Sequence, residues 1–127
     1  RAPATLELAR MFNRAGHRVL VAESMRWHVS RSSRAVAAEF AVPPPRQDPG
    51  GFQAALARIA AAERVELLVP TCEEVFYVSA GRSQLPAGCR AFVEDVTRLR
   101  QLHSKWEFVQ LLEQMSIPVP GTPTPRR

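Results

Sequence analysis

Three short apolar runs constrain this chain more than any other feature: RVLVA (Arg18–Ala22), VELLVP (Val65–Pro70) and RAFVE (Arg90–Glu94). None is long enough for a buried helix, and the first is rich in β-branched residues, so each predicts a short buried strand. A helical pattern precedes the first run. Pro3–Gly16 places Ala4, Leu8, Met11, Phe12 and Ala15 on one side, with Pro3 suited to a first turn and Gly16 to a stop. The second run follows another such pattern, Phe52–Arg64, whose stripe is Phe52, Ala55, Leu56 and Ile59.

Between these units the sequence changes character. Residues 24–34 (SMRWHVSRSSR) have neither period and predict a loop. Ala35–Val42 predicts a further strand, although its alanines also permit helix, and PPPRQDPGG predicts a loop because proline lacks an amide donor and restricts its predecessor. A third helix is expected to start near Thr71, with Thr as cap and Glu73 and Glu74 in a first turn that favours negative charge, and to end near Gly81. Two short helices, Val96–Leu102 and Lys105–Met115, follow the last strand.

Strands that alternate with helices imply parallel pairing through right-handed crossovers, hence an α/β sheet covered on both faces. In a doubly wound sheet the first strand is central and its following loop meets the ligand. This chain starts at that loop, so Arg1 and Ala2 are expected to be the remnant of a strand-to-helix turn, and the sheet is expected to lack its first strand.

Bulk properties exclude several classes. At 127 residues one hydrophobic core is the expectation, and no apolar run reaches the roughly 18 to 20 residues that span a bilayer. No signal-peptide pattern follows Arg1 and the initiator Met is missing, which predicts a cytoplasmic, partial chain. Cys72 and Cys89 have neither CxxC nor zinc spacing and are expected to be reduced thiols. The net charge of +5 is spread over scattered arginines, with only Arg126 and Arg127 in tandem, which favours a solvated surface over a nucleic-acid site. His17, His28 and His103 are isolated from one another, so no metal site is expected.

The segment Leu102–Pro120, LHSKWEFVQLLEQMSIPVP, is the most specific. Ser104 and Glu107 form an S-x-x-E capping box that fixes the helix start. Lys105 then sits in the first turn, where free amides, helix dipole and ammonium together favour a phosphate. Phe108, Leu111, Leu112 and Met115 share one face and are expected to be core, with Trp106 off that face.

Three blocks, RAPATLELARMFNRAGHRVLVAES, LLVPTCEEV and LHSKWEFVQLLEQMSIPVPGT, resemble in order and separation the N-terminal domain that precedes the ATP-grasp fold in biotin carboxylase and carbamoyl-phosphate synthetase-like ligases. The resemblance spans nearly the whole chain, with the last block its most specific part. Ser104 stands where Asp is more usual in that family, and Ser116 where Gly is more usual. It implies a Rossmann-like three-layer parallel sheet over residues 1–103, then a junction helix and prolyl linker over 104–127 leading to an ATP-grasp domain. By the same resemblance Lys105 contacts the phosphate region of ATP, and Glu73 and Glu74 face the substrate side of the cleft. ATP and Mg²⁺ belong to the full-length protein, whose magnesium ligands lie in the later domain. The partners the resemblance implies are that downstream domain and a small-molecule carboxylate. Separately, a fragment lacking its central strand is expected to be able to pair edges with a second copy as a homodimer, since unpaired edge amides template association, and the charge and hydropathy patterns predict neither nucleic acid nor membrane as a partner. The fragment alone is not expected to be active.

Two other functions fit parts of the pattern. Glu23, an acid at the end of a strand, is where a dinucleotide- or nucleotide-sugar-binding module holds ribose. The arginine-rich loop Arg26–Arg34 offers an interaction or nucleic-acid surface. The ligase reading is preferred because it alone accounts for the final block.

Overall fold

The computed structural model describes residues 3–121; the expected strand remnant at Arg1 and Ala2, and the end of the prolyl linker at residues 122–127, lie outside the described residues. The chain is a mixed α/β protein with 45% helix and 10% strand. That strand share is less than half of what an average globular domain carries, so helices supply most of the packing. The chain divides into two compact units, at Val93 and Glu94.

The first unit opens with α1 (Pro3–Arg14), which buries Ala9. It stops as the sequence predicts. Gly16 takes φ +88°, and the amides of Gly16 and His17 donate to the carbonyls of Asn13 and Phe12, which satisfies two of the orphan acceptors at the helix end. The strand that follows, β1 (Leu20–Glu23), pairs in parallel with β2 (Ala38–Ala41), with Leu20 opposite Ala38 and Glu23 opposite Ala41. Both are shorter than the apolar runs suggest.

The Pro-rich segment is not all loop. Helix α2 (Pro49–Ala62) starts three residues before Phe52, because Asp48 Oδ1 accepts the amide of Gly51 at 2.8 Å and Pro49 occupies the first helical position, where its missing N–H is no loss. At the other end Arg64 adopts φ +51°, and the amides of Arg64 and Val65 donate to Ala61 and Ala60. This repeats the α1 stop with arginine in the glycine position.

Next come β3 (Leu67–Leu68), α3 (Val75–Ala80), a 3-10 turn (Arg82–Gln84) and β4 (Arg90–Ala91), with β3 and β4 parallel. The expected runs Val65–Pro70 and Arg90–Glu94 thus contract to two paired residues each. The third helix starts at Val75 rather than near Thr71, which removes Glu73 and Glu74 from its first turn. The four strands form two separate two-stranded sheets, β1 with β2 and β3 with β4.

The core sits beside the second pair. Val42, Phe52, Ala55, Leu56 and Val78 are buried together, with Ile59, Leu68, Tyr77, Ala91 and Val93 packed against them. The rings of Phe52 and Tyr77 meet edge to face at 6.5 Å. Gly81 is required here for space: a Cβ at that position would lie 2.5 Å from Gln53 Cγ. Gln53 is itself held, donating from Nε2 to the Tyr77 carbonyl at 3.0 Å and accepting at Oε1 from Gln84 at 3.2 Å.

In the second unit α4 (Val96–His103) and α5 (Lys105–Gln114) are separated by Ser104 alone. Asp95 Oδ1 caps α4 through the Thr97 amide at 2.9 Å. Helix α5 ends as α1 and α2 do: Ser116 takes φ +57°, and the amides of Ser116 and Ile117 donate to Glu113 and Leu112. Ser116 therefore occupies the position where glycine is the unstrained choice. No residue of α4 or α5 is buried, so the stripe of Phe108, Leu111, Leu112 and Met115 is not the core that its spacing predicts: within this two-helix unit Met115 is 61% exposed.

Candidate functional site

In the first unit the predicted acids lie in the loop after β3, at the carboxyl end of that strand, where open α/β sheets bind ligands. Glu74 folds back on its own loop. Its Oε1 accepts the amides of Thr71 at 2.8 Å and Cys72 at 3.0 Å, and the Thr71 hydroxyl at 3.4 Å. A carboxylate that gathers three donors orders a loop, because each charge-assisted bond is stronger than its neutral counterpart. Glu73 differs: it is exposed, and among the described residues its side chain makes no hydrogen bond or ion pair.

Thr71 also reaches across the unit. Its Oγ1 lies 2.8 Å from Oγ1 of Thr5, in the first turn of α1. An ionised carboxylate accepts only, so with Thr71 donating to Glu74, Thr5 must donate to Thr71. The order of donors is then Thr5, Thr71, Glu74. Sequence reasoning identified Thr71 only as a cap and missed Thr5, since no local pattern joins two positions 66 residues apart.

Glu23, the residue of the dinucleotide reading, turns its Oε1 onto the chain that follows it. That oxygen accepts the Ser24 amide at 2.9 Å, the Met25 amide at 3.1 Å and the Ser24 hydroxyl at 3.3 Å. It thereby closes the start of the loop between β1 and β2. Farther along, Arg31 donates to the Arg26 carbonyl at 2.6 Å, and the guanidinium carbons of Arg31 and Arg26 lie 4.8 and 5.7 Å from the Trp27 ring centroid. These arginines are engaged with the loop's own tryptophan.

Of the two thiols, Cys72 is exposed beside Glu73, and Cys89 is buried. Burial pushes the Cys89 thiol above its usual pKa. Among the described residues no group of three or more His, Cys, Asp or Glu side chains is placed to hold a metal ion, and no helix is long and apolar enough to cross a membrane.

Lys105 belongs to the second unit, Glu73 and Glu74 to the first. Ser104 Oγ accepts the Glu107 amide at 3.3 Å, which fixes Lys105 as the first residue of α5. Only this arm of the capping box forms, because the Ser104 amide donates to the Arg100 carbonyl at the end of α4. Lys105 is exposed and has no ion-pair partner among the described residues.

No family model, curated protein or solved structure matches this chain.

Proposed function

We propose that this chain is the N-terminal domain of an ATP-dependent carboxylate ligase of the ATP-grasp type, built on a Rossmann-like three-layer parallel sheet and supplying one wall of the active cleft. The observation that carries the reading is the junction at Ser104. A serine-capped helix begins there with Lys105 in its first turn and closes at a left-handed Ser116 before Ile117–Pro118–Val119–Pro120. Two parallel strand pairs with α2 between them, and a carboxylate-ordered loop at the end of β3, support it.

In this reading the substrate carboxylate attacks the γ-phosphorus of ATP, the bond to the β-phosphate oxygen breaks, and ADP leaves. An amine or other nucleophile then attacks the acyl-phosphate carbon, loses a proton, and expels inorganic phosphate. Lys105 and the free amides of the first turn of α5 offset negative charge in the nucleotide's phosphates. Glu74 holds the shape of the loop after β3, and Glu73 is the carboxylate free to meet substrate. By the same resemblance, the magnesium ligands belong to the following domain.

The test is ADP release by the complete gene product over a panel of small carboxylates, with and without amine. Carboxylate-dependent ADP formation supports the reading; ATP neither bound nor turned over in any combination refutes it. A nucleotide-sugar or dinucleotide module is less well supported, since one oxygen of Glu23 already serves three donors of its own loop.

A further inference from the structure

Met25, Trp27 and Val29 stand at alternate positions of the loop that joins β1 to β2, and all three are exposed, Trp27 to 72%. The intervening and following residues are covered instead. Ser30 is 1% exposed, and the His28 side chain is buried with Nε2 3.7 Å from Oε1 of Glu39 on β2. The loop's own bonds hold that arrangement. Glu23 Oε1 gathers the donors at its start, Arg31 donates to the Arg26 carbonyl, and the amides of Arg31 and Ser33 donate to the carbonyls of His28 and Ser30 at 3.2 and 3.0 Å.

The same segment is purely cationic. Residues 24–36 include Arg26, Arg31 and Arg34 and no acid. Arg26 and Arg31 lie against the Trp27 ring, and Arg34 is exposed with no ion-pair partner among the described residues. Over the whole chain the arginines are scattered, so charge pattern predicts no membrane partner; in this loop the fold sets three of them beside three exposed apolar side chains. Exposed apolar groups rimmed by charge mark an interaction surface.

We propose that this loop docks on an anionic phospholipid bilayer, with Met25, Trp27 and Val29 entering the interface and Arg26, Arg31 and Arg34 meeting the headgroups. A bilayer is the partner that uses all of these side chains. Tryptophan favours the headgroup level, where its ring is apolar and its N–H stays wet, and arginine stems lie along apolar surface while their guanidinium groups reach phosphate. Anionic lipid also attracts clustered cations directly. A stable protein interface covers about 800 Å² on each partner, more than three side chains of a turn-rich loop can offer. Nucleic acid would leave Met25 and Val29 unused, and a stacking base would compete with the guanidinium groups already on the Trp27 ring. The ligase reading neither requires nor forbids this surface.

Co-sedimentation of the complete gene product with unilamellar vesicles tests this. Phosphatidylcholine vesicles containing about 30% phosphatidylserine bind the protein, and pure phosphatidylcholine binds it at least about tenfold more weakly. Arg34→Gln weakens binding to the anionic vesicles roughly fivefold, the loss of one cation near the surface. Trp27→Ser, which leaves charge untouched, weakens it at least about tenfold, because buried apolar area sets interfacial affinity. Since the Trp27 ring also holds two arginines, the double variant Met25→Ser with Val29→Ser repeats the comparison with that ring in place, and it too binds less. No binding to anionic vesicles overturns the proposal. So does binding that both apolar variants leave unchanged while folded to the same stability, since net charge alone then accounts for it. A single-stranded oligonucleotide held through Trp27, with vesicles unbound, identifies a nucleic-acid surface and overturns it as well.

Discussion

Thr5 Oγ1 and Thr71 Oγ1 lie 2.8 Å apart and join the first turn of α1 to the Glu74-ordered loop after β3. The bond ties the front of the chain to the centre of the first unit. Through Glu74 it also couples helix position to the shape of the loop that carries Glu73.

Removing either hydroxyl should therefore cost more than a surface contact. Thr5→Val and Thr71→Val are each expected to lower unfolding stability by about 1 kcal/mol. The double variant should lose about 0.5 to 1 kcal/mol less than the sum, the mark of a direct interaction. Urea titration of the four proteins checks this, and strictly additive losses contradict it.

Arg64 and Ser116 occupy left-handed positions at helix stops. Arg64→Gly should raise stability by about 0.5 to 1 kcal/mol, because glycine takes that conformation without a Cβ penalty. Arg64→Ala should bring no comparable gain. At Ser116 the same replacement should slow exchange of the Ile117 amide, which closes the end of α5.

Gly81 is the reverse case, a glycine held by space rather than by backbone angle. Gly81→Ala should cost about 1 to 3 kcal/mol, since the new methyl meets a Gln53 side chain already fixed by Tyr77 and Gln84. Truncation to Ala at both 53 and 81 should recover part of the loss in thermal denaturation.

The two thiols should react in sequence. Cys72 is exposed and Cys89 is buried with a raised pKa, so iodoacetamide should label Cys72 first and Cys89 only on unfolding. The pH dependence follows from the same shift. The folded state keeps the Cys89 proton where the unfolded state gives it up, so stability is full below the ordinary thiol pKa of about 8.5 and declines as pH rises through and beyond it. Cys89→Ala should flatten that decline.

Legibility in the sequence followed the range of the interactions involved. The stops of α1 and α5 and the start of α5 were readable because Gly16, the Ile117–Pro120 segment and Ser104 act on their own few neighbours. The start of α2 was misread because PPPRQDPGG contains loop residues throughout, yet one Asp48 bond and one well-placed proline suffice to begin a helix. Strand lengths were overstated for a different reason. Apolar content marks where a strand can lie, but only a partner decides how much of it pairs, and β3 and β4 meet over two residues. The site divides in the same way: the position of Lys105 followed from its cap, whereas the chain of donors from Thr5 to Glu74 depends on tertiary contact.

The most direct test of the central claim is Mg-ATP affinity of the complete gene product with Lys105→Ala beside the unmutated protein, measured by titration calorimetry. The account predicts at least about tenfold weaker binding for the variant, the loss of one charge-assisted phosphate contact. Equal affinity in the two proteins, with the variant folded to the same stability, would contradict the assignment of Lys105 to nucleotide phosphate.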